Sequence, residues 1–123
     1  MWWGVFDAGV RVQNQTRRSI LITRGQLAQT FWARFKGLMR HPGLAEGEGL
    51  ILKGEKSIHT FFMRFPIDVV YADRTWQVVH LDPAMMPNRI GPFVRQAAYV
   101  LEMPAGAIRT TGTAIGDQLT VQT

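Results

Sequence analysis

Residues 58–73 read Ile-His-Thr-Phe-Phe-Met-Arg-Phe-Pro-Ile-Asp-Val-Val-Tyr-Ala-Asp, which sets a histidine, a threonine, an arginine and two aspartates among bulky apolar side chains. A polar group carried into apolar surroundings needs a partner or a ligand. Strand alternation puts His59, Phe61 and Met63 on one face and Ile58, Thr60 and Phe62 on the other. By the same rule Asp68 falls beside Val70 and Ala72, and Glu102 beside Val100. His80 and Asp82 fall on the face of Trp76 and Val78. Two kinds of chemistry suit these types. His59 with Asp68 or Glu102 makes an acid–base pair of the sort a hydrolase or lyase uses. The same groups can instead line a pocket for a small ligand. The structural alternative is that the carboxylates anchor the fold through arginines or backbone amides, and that His59 is a core histidine donating to a carbonyl.

Short apolar runs separated by turn residues must position these groups. Strands are expected over 5–12, 19–23, 49–52, 58–63, 67–72, 76–81, 98–103 and 118–122. Asp73-Arg74-Thr75 makes a hairpin turn, and Gly116-Asp117 turns the chain into the last strand. A helix is expected from Thr30 as N-cap, burying Phe31, Phe35, Leu38 and Met39 and stopped by Pro42-Gly43. Residues 104–112 form a turn or second short helix. Residues 83–96 carry Pro83, Pro87, Asn88, Gly91 and Pro92 and form a long loop, and loops of that length are often functional. The expected fold class is mainly β: a single-domain antiparallel β sandwich or barrel over 1–123 with one or two short helices.

Composition narrows the function classes. The chain has 123 residues, 46% hydrophobic and 19% charged, an ordinary globular balance. It has no cysteine, which excludes a disulfide framework, a thiolate nucleophile and a Cys-based zinc site. The only serines are Ser19 and Ser57, and no Gly-x-Ser-x-Gly surrounds them. The histidines His41, His59 and His80 lack a short metal-ligand spacing, so no metal and no cofactor is expected. No run reaches the ~18 apolar residues of a membrane span, and the first residues lack the basic start of a leader. A soluble cytoplasmic protein is the expectation. Net charge is +5, and no acidic residue occurs between Asp7 and Glu46 while Arg11, Arg17, Arg18, Arg24, Arg34, Lys36 and Arg40 do. This reads as a solvated basic surface; the rival is a nucleic-acid-binding module through 11–40, with Phe31, Trp32 and Phe35 available to stack on bases.

Taken in order, Arg34-Phe-Lys-Gly-Leu-Met-Arg40, Gly49-Leu-Ile-Leu52, the 58–73 run, Tyr99-Val-Leu-Glu-Met-Pro-Ala-Gly106 and Gly116-Asp117 resemble the family called domain of unknown function 192. The resemblance implies a compact, mostly antiparallel β sandwich or barrel, with a family-like core over about 20–122. It implies signature positions at Arg34, Gly37, Met39, Arg40, His59, Thr60, Met63, Asp68, Glu102 and Gly106. Members often have Phe-Trp-Met-Lys-Asn where this chain has Thr-Phe-Phe-Met-Arg-Phe, so Phe65 stands at their asparagine. Many members carry a leader. No activity comes with the resemblance. The functional expectation is a ligand-binding or accessory β domain, with His59, Thr60, Met63, Asp68, Arg34 and Arg40 around a small or anionic ligand beside the 83–96 loop. Asp68 and Glu102 are expected to be held by Arg34, Arg40 or Arg64 as bidentate pairs.

Overall fold

The structure is a computed structural model and describes residues 5–28, 44–61 and 63–123. The expected helix from Thr30, with Arg34 and Arg40, lies outside the described residues. Among the described residues seven strands and one short helix follow one another: β1 Val5–Asn14, β2 Ser19–Ala28, β3 Glu48–Lys53, β4 Ile67–Ala72, β5 Val78–Met85, β6 Tyr99–Pro104, α1 Ala107–Thr111 and β7 Leu119–Gln122. They form one sheet in the order β5-β4-β6-β3-β2-β1-β7. The mainly β expectation is borne out. Every pairing is antiparallel except β2 with β3, which run parallel from Arg24 beside Glu48 to Ala28 beside Leu52. Parallel neighbours need a connection of a dozen or more residues, and residues 29–47 supply that length.

The sheet curls until its edges touch at one end. Gln77 bridges Gln118. Around that bridge the Val78 N–H donates to the Asp117 carbonyl at 2.8 Å, the Gly116 N–H to Val78 at 2.8 Å and the Leu119 N–H to Trp76 at 2.9 Å. The result is a half-barrel rather than a two-sheet sandwich, and the contact shelters edge strands that would otherwise present unpaired backbone. The concave side is filled by Val10, Val12, Ile22, Ile51, Val70, Leu101, Met103 and Leu119 among others, with every strand contributing. A second cluster lies on the outer side of β3, β6 and β4: Leu50, Leu52, Ile67, Val69, Tyr71 and Val100 pack there against Ile58, Met63, Val94 and Ala97. β4 is therefore buried on both faces, which explains its nearly continuous apolar sequence.

Two expectations about facing are corrected. Residues 58–63 are not a strand. His59 makes an isolated bridge to Ile90, the chain then turns through a Met63 N–H to Thr60 carbonyl bond of 3.2 Å, and Ile58 and Met63 both enter the outer cluster. Alternation has no force in such a segment. In β5 an irregularity between the Tyr71–His80 and Ala72–Val78 pairs inserts one extra residue. A bulge of this kind reverses the facing beyond it. Val78 stays inside with Trp76, while His80 and Asp82 move to the outer face beside Tyr71 and Val69. β5 also continues to Met85, so the irregular loop is 86–98 rather than 83–96.

The β1–β2 turn is stapled to the chain before β7. Asn14 Nδ2 donates to Thr113 Oγ1 at 3.1 Å and to Asp117 Oδ2 at 3.0 Å, and the same oxygen accepts from Arg17 Nε and from the Ala114 N–H, both at 2.9 Å. Burial pulls the Asp117 carboxyl upward. The bonds from Arg17, Asn14 and Ala114, with the charge of Arg17, outweigh it and hold the group below the usual carboxylate range. A carboxylate whose pKa is lowered on folding contributes stability that is present above its unfolded value of about 3.9 and is lost as pH falls through the folded value. The melting temperature should be flat near neutrality and fall below about pH 4, and Asp117→Asn should make that acid limb shallower in a calorimetric pH series.

Candidate functional site

Asp68 sits on the concave side of β4, 1% exposed. Its Oδ1 accepts the Ala84 N–H at 2.7 Å, and its Oδ2 accepts the N–H groups of Gly106 at 3.1 Å and Ile108 at 2.8 Å. The carboxylate thus serves as a cap for α1, whose own N-cap residue, Gly106, has no side chain to do so. Gly106 has φ +101°, a conformation that side chains disfavour, which accounts for glycine at that position. These partners are backbone amides, so the expected arginine clamp on Asp68 is corrected. Asp68 is also turned away from His59, which belongs to the outer side. The carboxylate cannot act with that histidine.

Glu102 is on the outer side of β6, opposite Leu50 on β3 and Val69 on β4, and fully buried. Among the described residues no buried side-chain nitrogen or oxygen lacks a hydrogen-bond partner, so this carboxylate is engaged. Met63 is a packing residue of the outer cluster. Thr60 is buried and organises the loop. Its Oγ1 donates to the Met86 carbonyl at 2.6 Å and accepts the Arg89 N–H at 2.9 Å, while its backbone exchanges bonds with Arg89 at 2.8 Å and Asn88 at 2.9 Å. Two residues beyond Arg89, the Gly91 N–H donates to the Ile58 carbonyl at 2.8 Å. A Cβ on Gly91 would lie 3.0 Å from the Tyr71 hydroxyl and 3.3 Å from the Ile58 carbonyl, so the close approach suits glycine.

Above this clamp lies a cleft of about 300 Å³ lined by Leu52, Glu55, Ser57, Ile58, His59, Phe61 and Ile90. The His59 ring stacks on Phe61 with centroids 4.8 Å apart, and its Nδ1 accepts the Phe61 N–H at 3.4 Å. Of the six residues expected around a ligand, His59 lines the cleft, Thr60 and Met63 lie beneath it, Asp68 is on the opposite side, and Arg34 and Arg40 are outside the described residues. Sequence reasoning missed Ile90, Glu55 and Ser57, which come from segments with no recognisable motif, and Leu52, which was read only as the end of the Gly49–Leu52 strand. It also missed a polar group on the outer face. The Tyr71 hydroxyl donates to Asp82 Oδ2 at 3.1 Å, and His80 Nε2 meets Asp82 Oδ1 at 3.0 Å. The His80-x-Asp82 spacing was visible, but the bulge hid its partner.

In the basic segment, Arg17 is paired with Asp117 at 2.9 Å, and Arg34, Lys36 and Arg40 are outside the described residues. Among the described residues no group of three or more His, Cys, Asp or Glu could hold a metal ion, and no helix is long and apolar enough to cross a membrane.

Removing the Asp68 carboxylate orphans three backbone amides. Asp68→Ala should lower stability by about 1–3 kcal/mol in urea denaturation. Thr60→Val should act locally: amide exchange at Asn88, Arg89 and Gly91 should quicken by roughly tenfold while the strand amides change little.

Residues 12–121 match the sequence profile of an uncharacterised ACR family, domain of unknown function 192. A UPF0127 protein of Thermococcus sibiricus is 36% identical over 110 residues, covering 86% of this chain and 71% of its own. Among solved structures, a protein of unknown function from Novosphingobium aromaticivorans superposes with a TM-score of 0.75 at 22% identity, covering 90% of this chain and 82% of that one. A Sinorhizobium meliloti protein bearing the provisional name transcription regulator superposes with a TM-score of 0.73 at 23% identity, covering 91% of each chain. At those identities the likeness concerns the fold alone. The resemblance read from the sequence is borne out, and the chain belongs to the domain of unknown function 192 family.

Proposed function

We propose that the protein is a small-ligand-binding domain whose site is the His59 cleft, and that 1–123 acts as one domain. The observation that carries this reading is the union in one concavity of an apolar floor and three polar groups. Leu52, Ile58, Phe61 and Ile90 supply apolar surface, and His59, Ser57 and Glu55 supply the polar groups. Its volume of about 300 Å³ is at the lower end for small-molecule sites. The ligand class that fits has a compact apolar or aromatic body and a hydrogen-bonding end that reaches His59. Glu55 at the cleft disfavours an anionic end there. An acid–base enzyme built on His59 and Asp68 is not favoured, because the Asp68 carboxylate is filled by three amides on the other face.

Thermal-shift screening of small aromatic and aliphatic metabolites checks the proposal. A true ligand at one hundred times its Kd should raise stability by about 2.7 kcal/mol. His59→Ala and Phe61→Ala should each abolish most of that gain while leaving the unliganded melting temperature near wild type. A library that shifts nothing, or a ligand indifferent to both substitutions, would remove the cleft as the site.

A further inference from the structure

We infer that the face formed by residues 56–67 and 83–101 docks on an anionic membrane surface. Six large apolar side chains are conspicuously exposed among the described residues, and four of them sit here: Phe61 at 38%, Met86 at 54%, Ile90 at 73% and Phe93 at 72%. The two segments carry four cations, Lys56, Arg64, Arg89 and Arg95, and no acidic residue; Glu55, which lines the cleft with Phe61 and Ile90, is the neighbouring acidic group that these cations outnumber. Arg64, Arg89 and Arg95 are exposed beside the apolar tips. Apolar groups ringed by cations match a bilayer interface, where side chains such as Phe and Ile enter the acyl boundary and arginines meet headgroup phosphates.

A second observation independently supplies a headgroup position. Lys53, Lys56, Arg74 and Arg95 line an open groove of about 1000 Å³, with Asp73 as its acidic residue. One oxygen of Asp73 is taken by the N–H groups of Thr75 and Gln77 at 2.9 and 3.0 Å and by the Thr75 hydroxyl at 2.7 Å. Lys56 is fixed in place by bonds from Nζ to the carbonyls of Arg95 at 2.8 Å and Ala97 at 2.7 Å. Because the Val94 N–H donates to the Lys56 carbonyl at 2.7 Å, the groove and the Phe93 tip belong to one braced unit. Charge complementarity therefore selects an anionic lipid surface over a neutral one. The inference does not require the His59 cleft to be occupied.

Co-sedimentation with phosphatidylcholine vesicles containing about one third phosphatidylserine tests it. Wild-type protein should pellet with these vesicles at low salt, release as salt passes about 0.15 M, and ignore pure phosphatidylcholine. The double variant Ile90→Asp/Phe93→Asp should lose at least about tenfold in partitioning. Arg89→Gln and Arg95→Gln should lose about fivefold each. Ile115→Asp, at an exposed apolar residue outside both segments, should behave as wild type. All five positions are exposed, so the melting temperatures should match wild type and report intact folds. Three results would overturn the inference. They are no pelleting at low salt, equal pelleting of wild type and the Ile90/Phe93 double variant, or light scattering that shows the patch covered by a second copy in solution.

Discussion

The Asp68 carboxylate is the interaction on which the arrangement of the half-barrel turns. It projects from a strand buried on both faces and accepts from Ala84 in β5, from Gly106 before α1 and from Ile108 within it. One side chain therefore ties β4 to the edge strand β5 and to the segment that follows β6. The bond to its N–H helps Ala84 hold φ +50°, a conformation that a residue other than glycine keeps only when its surroundings impose it. Without this anchor α1 would have no cap, and Ile108 would have no fixed place against the concave core.

Burial of β4 on both faces then dictates how the rest of the chain must be spent. The concave side is covered by the curl of the sheet itself, and the edge contact at Gln77 and Gln118 completes it. Among the described residues the outer side has no second sheet. Residues 56–63 and 86–98 cover it, and loops over a core must satisfy their own backbone. Thr60 does much of this, because its hydroxyl and both backbone groups serve Met86, Asn88 and Arg89. A threonine inside an apolar run is thus explained by the loop it clamps.

The strands were legible in the sequence because their signals are local. The expected 67–72 strand is β4 to the residue, and the turns at 73–75 and 116–117 fall where Asp73 and Asp117 accept backbone amides. The irregular parts were not legible, for identifiable reasons. Facing in β5 depends on one inserted residue, which alternation cannot register. The 58–63 run has strand composition, yet its backbone partners lie in the loop at 88–91, about thirty residues away, and long-range pairing leaves no trace in period. The parallel β2–β3 pair follows from the path of 29–47, which composition does not encode. For the site, His59 was found because a histidine among apolar residues is conspicuous. Asp68 was conspicuous for the same reason, and its carboxylate holds three backbone amides. Polarity in an apolar run marks a constraint and does not say whether the constraint is folding or binding.

Position within the fold separates those two meanings. Asp68, Thr60 and Glu102 are buried and engaged, so their bonds are internal. Ile90 and Phe93 break the opposite rule: they are apolar and exposed, on a loop that is anything but loose. Bonds from Thr60, Ile58 and Lys56 reach its backbone at Arg89, Gly91 and Val94, and Pro87 and Pro92 restrict it further. A floppy loop could fold its apolar tips back onto the protein; a braced one holds them in water. Such exposure is unfavourable in isolation by roughly 25 cal/mol for each Å² of apolar surface. Bracing has the compensating effect that little conformational freedom remains to be lost when another surface covers the tips. The polar residues that looked like chemistry in the sequence are the means by which apolar residues, unremarked there, are kept exposed and in place.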